Sequence, residues 1–292
     1  MDSKATIKEF LVSRRARLSP EDAGLPSFGA NRRVAGLRRE EVAMLAGVSA
    51  DYYIRLERGN LDGASDSVLN AISRALQLDD VEIEYLFSLA RSSAGTKSKT
   101  SKPATKALRA NLQLVLDSIQ TNPAFVRNGR MDLLGANALG RAVYSPILTS
   151  RIAESNMARW VFLDPAAVDY YVDYSRIAAD SVGVLRLEAV RSADDPKFTQ
   201  LLGELSAKSE LFRQLWANHK VVRHYGGTKS FCHPQVGLLT MSYEPFSILA
   251  DENLIMNVYS AEPGSDTAEK LQILGNWLAS SADLQSQLSA AL

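Results

Sequence analysis

The sequence predicts two domains of different class, an all-α N-terminal domain and an α+β C-terminal domain. Its 292 residues are about twice the length of a typical domain. Apolar residues recur at helical spacing in residues 1–91, whereas period-two alternation appears after residue 230. Residues 92–106, SSAGTKSKTSKPATK, contain no aromatic, large aliphatic or acidic residue and predict a flexible basic linker. We therefore expect domains at residues 1–91 and 107–292.

Composition excludes several classes of protein. Apolar residues make up 46% of the chain and charged residues 23%, which is typical of a folded protein and excludes wholesale disorder. The single cysteine, Cys232, cannot form an intramolecular disulfide. The longest uncharged stretch, 230–243, is too short and too polar to span a bilayer, and residues 1–10 lack the apolar run of a secretory signal. A cytoplasmic protein without a membrane partner is expected.

Five helices are predicted in the N-terminal domain. The first carries Ile7, Phe10 and Leu11 and ends before Ser19-Pro20, because proline disfavours helical geometry in the preceding residue. After a loop rich in glycine and proline, apolar spacing predicts four more helices. They are expected at Arg38–Ala46, Ala50–Arg58, Ser67–Leu76 and Val81–Leu89.

The segment between the second and third helices has the spacing of a helix-turn-helix. Gly47 provides the freedom for a tight turn, and Ser49 stands where an N-cap is needed. Tyr53 and Leu56 are expected to face the core. These small residues alone do not distinguish a DNA-binding helix-turn-helix from a plain αα-corner, which needs them too. The arginines beside the turn and the polar outer face of the third helix favour the DNA-binding alternative.

In that alternative, the start of the third helix enters the major groove of double-stranded DNA. Ala50, Asp51 and Arg55 are predicted to face the bases, with Arg55 donating two hydrogen bonds to guanine and Asp51 accepting from cytosine or orienting Arg55. The predicted phosphate contacts are Arg38, Arg39, Ser49 and Tyr52.

Residues 1–91 resemble the helix-turn-helix domain of the Cro/cI-like (XRE) repressors, and AGVSADYYIRLERGN is close to the signature of that family. The resemblance implies a structural ion pair between Arg15 and Glu57. The long loop at residues 19–37, together with GLRREEVA at residues 36–43, is typical of the MmyB-like subgroup of regulators.

The C-terminal domain is predicted to mix helices and strands. Residues 195–216 have helical spacing with a break near 206–209, and residues 271–288 have a second helical pattern. Alternation at 238–243 and 254–259 predicts antiparallel strands, with turns near Glu244-Pro245 and at residues 251–253.

Four segments of this domain, residues 156–165, 194–221, 233–244 and 261–265, resemble the ligand-binding domain of MmyB-like transcription regulators. The resemblance implies a PAS-like α+β sensor in which a sheet and flanking helices enclose an apolar cavity. It also implies a small apolar ligand, such as a bound fatty acid, and no other cofactor. Homodimerisation is expected because a single helix-turn-helix binds its short half-site weakly.

Aromatic and methionine residues are the candidates for the cavity wall, although each is also a core residue by type. They are Trp160, Phe162, Phe212, Trp216, Met241, Tyr243 and Met256. A carboxylate ligand requires a cation, and the candidates in segments that match the family pattern are Arg159, Arg186 and His219.

No catalytic or metal-binding motif is recognised. None of the three histidines forms an i, i+4 pair, and HExxH, GxSxG and GxGxxG are absent from the sequence. Cys232 and His233 are adjacent on a predicted strand and so face opposite sides, which favours a buried or half-buried structural thiol over a nucleophile. Two alternatives to the sensor stay open: a small-molecule enzyme fused to a DNA-binding domain, and a dimerisation or protein-interaction module.

Overall fold

The computed structural model describes residues 3–26, 34–93, 108–192, 195–217, 226–251 and 253–277. Its contacts divide the chain into two compact units. The first unit comprises residues 1–100 with 186–195 and 215–222, and the second comprises 101–185, 196–214 and 223–292. Residues 94–107, which contain most of the predicted linker, lie outside the described residues.

The N-terminal part of the chain is helical, as predicted. Each predicted helix is present, with ends within a few residues of those expected. The helices are α1 (Ser3–Arg17), α2 (Arg39–Ala46), α3 (Ala50–Glu57), α4 (Asp66–Ala75) and α5 (Asp80–Ser93). Their apolar faces meet in one core, whose fully buried members include Ile7, Leu11, Leu37, Val42, Tyr53, Leu56 and Leu86.

A cluster of arginines on α1 ties that helix to α5. The carboxylate of Glu82, buried at the start of α5, lies 2.9 Å from Arg14 Nε and 3.0 Å from Arg17 Nη1. Burial lowers the pKa of the Arg14 guanidinium, and the neighbouring Glu82 opposes that shift. The ion pairs compensate the buried carboxylate and hold the first and last helices together.

The rest of the chain mixes strands and helices, which confirms the α+β prediction. The strands are β1 (Ala124–Asn128), β2 (Leu133–Ala136), β3 (Gly227–His233), β4 (Gly237–Ser247) and β5 (Leu254–Ser260). The helices are α6 (Ala110–Ser118), α7 (Ala138–Val143), α8 (Ser145–Thr149), α9 (Met157–Leu163), α10 (Ala166–Tyr170), α11 (Tyr174–Arg191), α12 (Pro196–Lys208) and α13 (Glu210–Ala217). A further helix occupies 266–277.

The five strands form one antiparallel sheet in the order β2-β1-β5-β4-β3. One face is packed by aromatic side chains with ring centroids about 5–6 Å apart. They include Phe125, Tyr144, Tyr170, Phe231 and Tyr259. The hydroxyls of Tyr144 and Tyr259 lie 2.6 Å apart, so these buried phenols satisfy each other. On the other face, Leu116 of α6 packs with Ala124, Val126 and Leu254.

The structure tests two local predictions for this part of the chain. The helical break at 206–209 is confirmed, because α12 ends at Lys208 and α13 begins at Glu210. The turn at Glu244-Pro245 is wrong, since β4 continues through Pro245, which lies opposite Asn257 of β5. Proline, a residue common in turns, thus stands inside a strand at this position.

Candidate functional site

A tight turn joins α2 to α3. Gly47 ends α2 in the left-handed region, with φ of +66°, and the Val48 N–H donates to the carbonyl of Ala43 at 3.0 Å. Two residues later, Ser49 Oγ accepts a hydrogen bond from the Tyr52 N–H at 3.2 Å. These are the glycine stop and the serine N-cap that the sequence predicts, so the two helices are fixed at both sides of the turn.

The outer face of α3 is polar and accessible. Tyr53 and Leu56 are fully buried, whereas Asp51 and Arg55, one helical turn apart, are exposed. The Arg55 guanidinium lies 4.8 Å from the ring centre of Tyr52. Within the described parts of the chain, neither Asp51 nor any other carboxylate forms an ion pair with Arg55. Its hydrogen-bond donors are therefore held near the helix surface and are open to an outside acceptor.

Ala50 occupies the edge of this face. It is half-buried and packs against the helical core, so its contribution to an outside surface is smaller than that of Asp51 or Arg55. Arg38 lies at the N-cap of α2 with an exposed side chain, and its backbone N–H donates to Glu41 Oε2 at 2.6 Å. Arg38 and Ser49 thus flank α2 and α3 at their starting ends, where backbone N–H groups favour anions.

A buried carboxylate lies behind the turn. Glu57, whose side chain is 2% exposed, accepts from Arg15 Nε at 2.7 Å, which confirms the ion pair that the family resemblance implies. Arg39 Nε also lies 2.7 Å from this carboxylate. Burial alone raises the pKa of Glu57, but the hydrogen bonds from Arg15 and Arg39 outweigh it and lower the pKa below its ordinary value. Arg39, predicted as a phosphate contact, is therefore also part of the fold.

The second unit contains a partly open cavity of about 30 Å³ beside the aromatic face of the sheet, which is room for about one water molecule. Strands β1, β3, β4 and β5 and helices α9 and α11 contribute to its wall. The lining residues are Phe125, Arg127, Met131, Met157, Val161, Tyr171, Ile177, Asp180, Ser181, Val184, Lys229, Tyr243 and Asn257.

One part of the cavity wall is polar. Arg127 is buried and donates from Nη1 to the carbonyl of Asn128 at 3.2 Å. The Lys229 ammonium lies 4.4 Å from the ring centre of Tyr243. Burial, reinforced by the positive charge of Arg127, lowers the pKa of Lys229 to about 8. Burial also raises the pKa of Tyr243 to about 12, so its hydroxyl is neutral at physiological pH.

The structure brings only Tyr243, of the predicted wall residues, to this cavity. Phe162 and Phe212 pack against each other with centroids 5.1 Å apart, and Trp160 packs on Tyr170 at 5.8 Å. Met241 is buried in the same sheet face without lining the space. These four are core residues, the more common role of their residue types.

Met256 lies on the opposite face of the sheet from Tyr243. Adjacent strand residues alternate between faces, and Asn257 and Tyr259 are the β5 residues on the aromatic face. Met256 instead packs with Leu116 and Val126. Its predicted place in the cavity wall is therefore corrected.

Of the three predicted head-group cations, the two that the structure describes do not line the cavity either. Arg159 bridges Glu154 at 2.6 Å and Glu204 at 2.9 Å, beside a separate open polar cleft of about 350 Å³. Arg186 and Trp216 belong to the first unit, where the guanidinium lies 4.6 Å from the indole ring and donates to the Trp216 carbonyl. His219 lies outside the described residues.

The polar residues that do line the cavity were missed in the sequence, although the pattern of their strands indicates them. Arg127, Lys229 and Asn257 each stand two positions from a buried aromatic residue on the same strand. Because residues two apart share a face, a polar residue there points into the domain.

The expectation that Cys232 is at least half-buried is wrong, since its thiol is exposed. His233 is buried and its Nε2 donates to the Ala142 carbonyl at 3.0 Å, so the two residues do face opposite sides.

The α2–α3 turn has the geometry of a helix-turn-helix with an exposed arginine, the arrangement of a DNA-binding domain. Comparison with protein families agrees: residues 13–86 match the model of a helix-turn-helix domain, and residues 108–274 match that of the MmyB-like transcription regulator ligand binding domain. The second match covers more than half of the chain, and the chain belongs to the MmyB-like transcription regulators. No curated protein matches it. Among the described residues, no helix is both long and apolar enough to cross a bilayer.

Proposed function

We propose that the protein regulates transcription by binding a specific DNA sequence through α3 and that a small apolar ligand, fatty-acid-like in character, changes this binding. The DNA-binding part rests on the exposed pair Asp51 and Arg55 on the outer face of α3, a helix whose N-terminus is capped by Ser49. A planar guanidinium in the major groove donates to O6 and N7 of guanine, and a carboxylate accepts from the amino group of cytosine. Arg38, Arg39, Ser49 and Tyr52 contact phosphates in this proposal.

Selection of binding sites from random duplexes tests this part. The full chain should enrich one motif, and a selected duplex should bind roughly a thousandfold or more tighter than a scrambled one at physiological salt. Enrichment of no motif would reject sequence-specific binding.

The apolar side chains of the cavity support the ligand-sensing part. Phe125, Val161, Ile177 and Val184 form much of the wall, together with the flexible Met131 and Met157. Because the cavity has room for about one water molecule, a longer ligand must widen the cavity. A ligand that binds only the widened state shifts the population toward that state. In a homodimer in the cytoplasm, such a shift changes the spacing of two DNA-binding domains on their half-sites.

Mass spectrometry of gently purified full-length protein separates this proposal from its alternatives. A co-purifying fatty acid or similar lipid is expected, at a stoichiometry approaching one per chain. Turnover of added small molecules without retention would favour the fused enzyme. Absence of both would favour a dimerisation or protein-interaction module.

A further inference from the structure

The polar part of the cavity holds two hydrogen-bond donors that no acceptor among the described residues uses. Asn257 is 6% exposed, and its Nδ2 has no hydrogen-bond partner in the described part of the chain. A buried amide N–H group without an acceptor is unfavourable, so we look to a bound ligand for that acceptor.

Lys229 is the second donor. It is partly buried on β3, and within the described ranges no carboxylate lies within 4.0 Å of its ammonium. In the same ranges, its ammonium contacts the ring of Tyr243, at 4.4 Å from the ring centre. An aromatic face attracts an ammonium but leaves its three N–H donors unused, so they can turn to an anion that enters the cavity.

The charges around these donors favour a single negative charge. The wall contains two cations, Arg127 and Lys229, and one carboxylate, Asp180. Arg176 approaches Asp180 from the same helix, with Nη1 3.8 Å from Oδ2, and its own charge is matched by Asp173, 2.8 Å from its Nε. The remaining excess of one positive charge suits a monoanion better than a phosphate dianion, because a charge removed from water needs an opposite charge beside it.

We propose that Lys229 and Asn257 form the head-group site of the sensor, where one carboxylate of an apolar organic acid accepts hydrogen bonds from Lys229 Nζ and Asn257 Nδ2. This inference rests on the ligand-sensing function proposed above. The acid's apolar body lies among the methionine and aliphatic side chains of the wall. The assignment replaces Arg159 and Arg186, which the sequence suggested and neither of which lines the cavity.

A pair of probes with the same chain and different head groups tests the assignment. Calorimetric titration of the full chain with sodium octanoate and with octan-1-ol should show octanoate binding roughly tenfold or more tighter. Lys229→Met and Asn257→Leu should each weaken octanoate binding roughly tenfold to a hundredfold and leave octanol binding unchanged. Lys208→Met, which removes an exposed lysine of α12, is the matched control and should change neither.

The outcomes distinguish the two proposals. Equal affinities for octanoate and octanol in the unsubstituted protein, or octanoate binding that survives Lys229→Met, would overturn the head-group site and leave an apolar sensor intact. Binding of neither probe would reject the apolar-ligand function itself, and the head-group site with it.

A pH series on the unsubstituted chain tests the site if the Lys229 variant fails to fold. A carboxylate binds the charged ammonium, so octanoate affinity should be nearly constant between about pH 6 and 7, fall by about half near pH 8 and fall at least about tenfold by pH 10. The other charged groups that face Lys229 are Arg127, Arg176 and Asp180. Burial raises the pKa of the neighbouring Tyr243 to about 12, so its hydroxyl stays neutral over this range. Octanol affinity should not change, and an equally flat octanoate profile would overturn the proposal.

Discussion

Arg39 Nε lies 2.7 Å from Oε1 of Glu57, on a carboxylate whose other oxygen is held by Arg15. The Glu57 side chain is 2% exposed, whereas that of Arg39 is 50% exposed. One arginine therefore compensates a buried charge with part of its guanidinium and presents the rest to solvent beside α2. This arrangement joins the stability of the helical domain to the surface that we propose contacts phosphates.

Arg39→Ala should weaken binding to specific and random duplexes by similar factors. A phosphate contact carries no sequence information, and its loss should reduce the slope of log affinity against log salt by about 1. Fluorescence anisotropy at several salt concentrations measures both quantities. Arg213→Ala, which removes an arginine of similar exposure that also pairs with a carboxylate, should leave the slope unchanged.

Arg55→Ala should instead lower the affinity for the selected duplex by about 1–3 kcal/mol and relax the base preference at one position. Arg55→Lys keeps the charge and loses the planar fork, so it should retain the salt slope and lose most of the discrimination. Competition with single-base variants of the selected duplex gives the preference. Equal losses on selected and scrambled DNA for Arg55→Ala would contradict base contact by this residue.

Glu57→Gln should destabilise the helical domain by about 3 kcal/mol near neutral pH, because it leaves two guanidiniums without their carboxylate. The folded-state pKa of Glu57 is lowered, so its stabilisation is present above the ordinary carboxyl pKa and is lost as pH falls through the folded-state value. Scanning calorimetry should thus find a gap between the two proteins that narrows below about pH 4. A gap that is constant with pH would contradict this role, and the exposed Glu40→Gln should produce none.

Two glycines of the helical domain should respond differently to alanine. Gly47 has φ of +66° and open space around an added Cβ, so Gly47→Ala should cost about 1 kcal/mol of backbone strain. A Cβ on Gly59, with φ of +93°, would lie 2.3 Å from the Lys4 carbonyl oxygen. Gly59→Ala should therefore cost at least twice as much, and hydrogen exchange of peptides from residues 39–75 should rank the two variants. The reverse order would contradict the close packing of α1 on Gly59.

The helix-turn-helix was predictable because its signals are local. Gly47 and Ser49 act through the hydrogen bonds of their own turn, and Tyr53 and Leu56 repeat with the helical period. The ends of α2 and α3 therefore lie within a residue or two of those expected. The second role of Arg39 was not predictable in this way, because its partner Glu57 is on another helix.

The cavity was less predictable because its wall is assembled from distant parts of the chain. Alternation correctly placed Leu254, Met256 and Val258 on one face of β5. The pattern of a single strand does not show which of its two faces lines the cavity. Lys229 and Asn257 meet only after β3, β4 and β5 pair in register. Pro245 misled the turn prediction because proline is a common turn residue, whereas here it continues β4 opposite Asn257.

The most direct test of the account is one titration of the full chain with a labelled selected duplex and its scrambled counterpart, each with and without saturating sodium octanoate. We predict tighter binding to the selected duplex and a change in that affinity of severalfold or more when octanoate is present, with the scrambled duplex little affected. Isotherms that coincide for all four conditions would contradict a DNA-binding regulator that responds to a ligand.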